Sequence, residues 1–147
     1  MSFAPTIFVN IPITSLETAL PFYKALGMTQ NMTWSSEDTA CMSLSPVINI
    51  MLMTTPRFRT FLPPTSTSAP STPPTTTGSP IKAAIFCITV TSKEAVDRIL
   101  DAAEKAGGSK DPTKLPEMGG GYGRSVEDID GHLWEVAWIG GMGEEGC

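Results

Sequence analysis

The side chains best suited to chemistry lie toward the C-terminal end of the chain. Glu135 stands between Trp134 and Val136 in an otherwise apolar, strand-like run, and a carboxylate facing an apolar cavity is suited to take up or deliver a proton. The alternative is an ion pair with Arg124 or another cation. Tyr122 and Arg124 share one face beside Gly119-Gly120-Gly121, a mobile lip whose groups can hold an anionic or carbonyl ligand. Against that stands a surface pairing of Arg124 with Glu127, Asp128 or Asp130, which would contribute little. Asn10 falls on the strand face of Phe8 and Pro12, with its amide directed to a ligand or to neighbouring backbone. His132 is the single histidine and follows the Asp130-Gly131 turn, where exposure is expected and no Ser-His-Asp arrangement can form around it. Met51, Met53, Trp34 and Trp138 are candidates for the wall of an apolar cavity that adapts to flat ligands, core packing being the other reading. The glycines at 119–123 make no phosphate loop, since no lysine follows at the required spacing and a strand comes next.

The elements that must position these groups fit in one ordinary domain of 147 residues. Hydrophobic residues at 41% and charged residues at 17% exclude a wholly disordered chain and a membrane protein. No stretch approaches the roughly 20 apolar residues of a bilayer-spanning helix. A net charge of -5 with scattered basic residues argues against nucleic acid as a partner. Met1 to Ile13 is interrupted by Pro5, Asn10 and Pro12, so no export signal is expected and the location is taken as cytoplasmic. Cys41, Cys87 and Cys147 are widely spaced and odd in number, so neither a disulfide framework nor a zinc knuckle is expected.

A duplication underlies the chain. Ile13-Thr14-Ser15-Leu16-Glu17 is echoed by Val90-Thr91-Ser92-Lys93-Glu94, each joining a strand-like run to a helical one through a Thr-x-x-Glu capping box. The first helix carries Leu16, Ala19, Leu20, Tyr23 and Leu26 on one face and stops at Gly27, with Pro21 expected to kink it or delay its start. The second turns Val96, Ile99, Ala103 and Ala106 inward and ends at Gly107-Gly108. Three strands should follow each helix: Thr29–Trp34, Thr39–Ser45 and Val47–Thr54 in the first half; Leu115–Met118, Tyr122–Glu127 and His132–Ile139 in the second, with Asp130-Gly131 closing the last hairpin. A short helical Phe58–Leu62 ends the first half. Residues 63–80, nearly all Pro, Thr and Ser, read as a flexible linker between modules 1–62 and 81–141, with 142–147 a tail.

Phe8-Val9-Asn10-Ile11-Pro12-Ile13, Leu16-Glu17 and Phe22-Tyr23-Lys24-Ala25-Leu26-Gly27-Met28 resemble the opening of vicinal oxygen chelate (glyoxalase/bleomycin resistance/dioxygenase-like) proteins. The run from Tyr122 to Val136 resembles that family's closing hairpin. The resemblance implies an α+β fold of two βαβββ modules forming an open curled sheet or barrel, a bound small molecule, and frequent homodimers. It also implies a divalent metal held by one side chain from the first and one from the last strand of each module. Those positions fall on Phe8 and Ile85, on Ile50 or Met51, and on Glu135. Three of the four are hydrocarbon or thioether side chains, too little to offset dehydration of a hard cation. A ring-cleaving dioxygenase, which needs two histidines, is disfavoured further.

The expected function is therefore that of a glyoxalase-like protein binding a small apolar or aromatic metabolite, in a sequestration or resistance role. No cofactor is expected, at most a weakly held divalent metal. The ligand-binding candidates are Asn10, Phe8, Met51, Ile85, Tyr122, Arg124 and Trp138. The alternative is an enzyme, a lyase, isomerase or dioxygenase-type oxygenase, in which Glu135 is the catalytic acid/base, with a loosely held metal completed by substrate.

Overall fold

A computed structural model describes residues 3–63, 82–116 and 120–140. The chain divides into two compact units, Met1–Pro74 and Thr75–Cys147. The first contains β1 (Ile7–Ile13), α1 (Leu16–Ala25), β2 (Thr29–Asn31), a 3-10 turn at Met32–Trp34, β3 (Thr39–Ser45), β4 (Ile48–Thr54) and α2 (Thr55–Arg59). The second contains β5 (Ile85–Thr89), α3 (Lys93–Lys105), β6 (Ser109–Lys110), β7 (Gly121–Glu127) and β8 (Leu133–Ile139).

Each unit is a βαβββ module with one four-stranded mixed sheet. The strand order is β1-β4-β3-β2 in the first and β5-β8-β7-β6 in the second. In both, the first strand runs parallel to the last and the remaining neighbours are antiparallel. The repeat holds residue by residue. Asn10 pairs with Met51 as Cys87 pairs with Glu135, and Met51 pairs with Cys41 as Glu135 pairs with Ser125. Phe8 and Ile85 are therefore equivalent, and Met51, rather than Ile50, is the counterpart of Glu135.

Alternation along the strands puts one apolar face of each sheet under its helix. In the first unit Ile11, Ile13, Ala40, Met42, Ile50 and Leu52 are buried together with Phe22, Tyr23 and Leu26 around α1. The rings of Phe22 and Tyr23 meet edge to face at 5.1 Å. In the second, Ile88, Val126, Trp134 and Val136 are buried with Ala95, Val96, Leu100 and Ala103 of α3. Each such fully buried aliphatic side chain contributes about 1.5–3 kcal/mol, which fixes the strand registers.

Several local expectations are corrected. The residues at the helix N-caps are Ser15 and Ser92, one place after the threonines of the expected boxes. The Ser92 hydroxyl accepts the Ala95 amide at 3.0 Å, whereas Ser15 makes no such bond. Pro21 neither delays nor ends α1, which starts at Leu16 and runs to Ala25 before Gly27 takes φ +100°. The inward positions of α3 include Leu100, with Ile99 only half-buried. The strand expected at Thr29–Trp34 stops at Asn31, whose side chain accepts the Thr33 amide and starts the 3-10 turn. The second helix-like segment begins three residues early, at Thr55, with Pro56 in its first turn. Leu115 and Pro116 form no strand; Ser109–Lys110 takes the edge of the second sheet instead. His132 is buried at 7% exposure, because its amide is drawn to the Asp128 carboxylate at 2.8 Å inside the turn that Gly131 permits at φ +87°. The expected linker from 64 onward, Met118 and the tail after Gly140 lie outside the described residues.

Candidate functional site

The face of the first sheet turned away from its buried aliphatic layer is built in rows. Phe8, Asn49 and Ser43 stand side by side across β1, β4 and β3, and the next row is Asn10, Met51, Cys41 and Asn31. A register shift between Ser43 and Ser45 makes a bulge that keeps both serines near this face. The result is a hollow of about 340 Å³, within the size range of small-molecule sites. Phe8 and Trp34 supply its aromatic surface, and Asn31, Cys41, Ser43 and Asn49 its polar floor, with Thr6, Ser45 and Pro46 at the rim.

The 3-10 turn is what presents Trp34. Ser35 Oγ donates to the Asn31 carbonyl at 2.7 Å and accepts the Cys41 amide at 3.0 Å, so the turn is tied to β3. Trp34 itself is 63% exposed and Phe8 50%, unusual values for large apolar side chains that pack a core. The floor is held by Asn49, at 6% exposure: its Oδ1 accepts the Ser43 hydroxyl at 2.6 Å and the Cys41 thiol at 3.8 Å. Burial pushes the Cys41 thiol up, so it stays a neutral donor. Among the described residues no charged side chain lines the hollow.

The remaining candidates separate into two groups. Asn10 is exposed and Met51 half-buried; both share the face of Phe8, though neither lines the hollow. In the second unit Ile85, 58% exposed, stands on the sheet face away from α3, together with Cys87 and half-buried Glu135. Burial and the Glu135 charge both push the Cys87 thiol up. Tyr122, Arg124 and Trp138 point to the opposite face, toward α3. The Tyr122 hydroxyl donates to Asp97 at 2.6 Å, and Arg124 donates to the same carboxylate at 2.9 Å. Its Nε donates to Asp111 at 3.1 Å. Asp97 and Asp111 thus take the place of Glu135, Glu127, Asp128 or Asp130, the partners expected of Arg124. Lys93 lies over the Trp138 ring at 5.4 Å. The Tyr122 bond and then Arg124 hold the Asp97 carboxyl below its usual range, and Arg124 does the same for Asp111.

Sequence reading missed Asn49, Asn31 and Ser43. A signal for Asn49 was present: it is the one amide in the apolar run Ile48–Met53, the same kind of anomaly that singled out Glu135.

A family model described as the Glyoxalase/Bleomycin resistance protein/Dioxygenase superfamily matches residues 7–136, both modules together. The chain belongs to this superfamily. Solved structures of the same fold include a hypothetical protein, SA1046, from S. aureus, at 20% identity and TM-score 0.69, covering 93% of this chain and 95% of that one. A glyoxalase/bleomycin resistance protein/dioxygenase family enzyme from Burkholderia phytofirmans PsJN gives 18% identity and TM-score 0.72 over 92% of this chain and 99% of its own. The fosfomycin resistance protein FosX from Listeria monocytogenes gives 14% identity and TM-score 0.62 over 97% and 98%. A search of the curated proteins found no match.

Superfamily members commonly use a divalent metal, and the residues here do not fit one. At the positions that the family resemblance implies for metal ligands stand Phe8 and Met51 in the first module, Ile85 and Glu135 in the second. A hydrocarbon and a thioether, or a hydrocarbon and a single carboxylate, are no donor set for a hard cation. Among the described residues no group of three or more His, Cys, Asp or Glu side chains converges. Nor, among them, is any helix long and apolar enough to cross a membrane.

Proposed function

We propose that this superfamily member binds a small apolar or aromatic molecule without a tightly bound metal, in a sequestration or resistance role. The observation that carries this reading is the hollow at Phe8, where aromatic surface and uncharged polar groups stand at the place of a cation ligand. Apolar walls with a few polar groups are what a pocket needs to hold and orient a neutral organic molecule. The same reading takes the protein as a cytoplasmic homodimer. Its test is a thermal-shift screen of small aromatic compounds on chelator-treated protein. Stabilisation that persists in chelator is expected, since a ligand that binds only the folded state raises the melting temperature. Stabilisation seen only after a divalent metal is restored would reject the reading.

A second reading rests on Glu135. Its carboxylate makes no hydrogen bond or ion pair among the described residues and lies beside Cys87 on the sheet face away from α3. Such a group is available for acid/base work in a lyase, isomerase or oxygenase. Glu135→Gln discriminates: a binder keeps its affinity, whereas an enzyme of this kind loses turnover by about 100-fold or more.

A further inference from the structure

The floor of the hollow contains a hydrogen-bonding group that the protein leaves unused. Asn49 is 94% buried by its 6% exposure, and Ser43 and Cys41 both direct their donors at its Oδ1. With the Ser43 hydroxyl and the Cys41 thiol both donating to Oδ1, Nδ2 is turned the other way. Among the described residues no acceptor meets Nδ2, which is not one of the fully buried unpartnered atoms and so is open to the hollow. Asn49 lines the hollow, between Phe8 on β1 and Ser43 on β3. The second module has Leu133 at the equivalent place, opposite Ile85, so the fold itself does not require an amide there.

From this arrangement we infer that Asn49 reads the ligand: the hollow takes an uncharged planar ring system that carries a hydrogen-bond acceptor, with the ring against Phe8 and Trp34 and the acceptor on Asn49 Nδ2. The inference rests on the proposed binding function and specifies its ligand class. The described lining disfavours charge: among these residues a carboxylate or phosphate would meet no cation, and an ammonium no anion. A purely hydrocarbon ligand would leave the Nδ2 donor unpaired beneath it. A ring nitrogen or carbonyl removes that penalty, and this difference is the source of discrimination.

Three bicyclic probes of one shape test it: naphthalene, quinoline and isoquinoline, titrated into the full chain at mildly alkaline pH, where the ring nitrogens are uncharged. Tryptophan fluorescence and calorimetry report the affinities. At least one nitrogen heterocycle should bind about three- to tenfold more tightly than naphthalene, the worth of one net hydrogen bond. Asn49→Leu should remove that preference while naphthalene binding persists, which shows that the hollow survives the change. Trp34→Ala, at an exposed position, should weaken all three. Equal affinities in the wild type, or a preference that survives Asn49→Leu, would overturn the inference and leave the broader binding function standing. Failure of all three probes to bind would overturn both.

Discussion

Phe8 and Asn49 are direct partners across the parallel β1–β4 ladder, and Ile85 and Leu133 occupy the same relationship in the second sheet. One duplicated scaffold thus carries an aromatic ring beside an amide in its first copy and two aliphatic side chains in its second. The first combination lines the hollow; the second is apolar on both strands.

Arg124 is expected to act on stability and not on ligand affinity. It ties β7 to Asp97 on α3 and to Asp111, and its partners are half-exposed, so solvent screening keeps the loss from Arg124→Ala to about 1 kcal/mol. Denaturant melts should show this loss, with ligand binding unchanged.

The same clasp has a pH signature. Both carboxyls are held below the ordinary value of 3.8, Asp97 first by Tyr122 and then by Arg124, Asp111 by Arg124. A depressed folded-state pKa contributes stability above the unfolded value, and that contribution disappears as pH falls through the folded one. Wild-type protein should therefore lose stability below about pH 4 more steeply than Arg124→Ala does. Parallel acid-unfolding curves would refute this assignment.

Cys87 is expected to be a slow nucleophile despite its exposure. Burial of the sulfur and the neighbouring Glu135 charge both raise its pKa, so less thiolate is present at neutral pH. Mass-spectrometric mapping of iodoacetamide labelling should show Glu135→Gln accelerating alkylation at Cys87, with the pH midpoint moving down. No change on neutralising Glu135 would separate the two side chains.

Ser92→Ala should cost about 1 kcal/mol, since its hydroxyl satisfies the Ala95 amide at the start of α3. Thr91→Ala should cost less than half of that. The reverse order in thermal melts would restore the capping box to the threonine.

The duplication was legible because it is written in two registers at once: the paired Thr-Ser dipeptides, and apolar residues whose period changes from helix to strand at the same place in each half. Those same threonines misplaced both caps by one residue, because Thr-x-x-Glu and the adjacent serine satisfy the capping pattern equally well on paper. Only the backbone turn at Ser15 and Ser92, extended in both, decides between them. Counting along strands gave Phe8, Ile85, Glu135 and either Ile50 or Met51; the ladders make Phe8 equivalent to Ile85 and Met51 to Glu135. Tyr122 and Arg124 read as site candidates because they share a face beside Gly119-Gly120-Gly121, and Trp138 because its ring suits the wall of an apolar cavity. The strand's alternation sends them to the helix side, where Asp97 and Lys93 wait on a different element. Asn49 and Ser43 stayed hidden for the complementary reason: their meeting depends on the β3–β4 register and on the bulge after Ser43, neither of which sequence spacing states.

The central claim, binding without a tightly held metal, is met most directly by calorimetric titration of manganese, nickel and zinc into chelator-stripped full-length protein. No saturable uptake in the micromolar range or tighter is expected for any of the three. Stoichiometric binding at that affinity, lost on Glu135→Gln, would contradict the account.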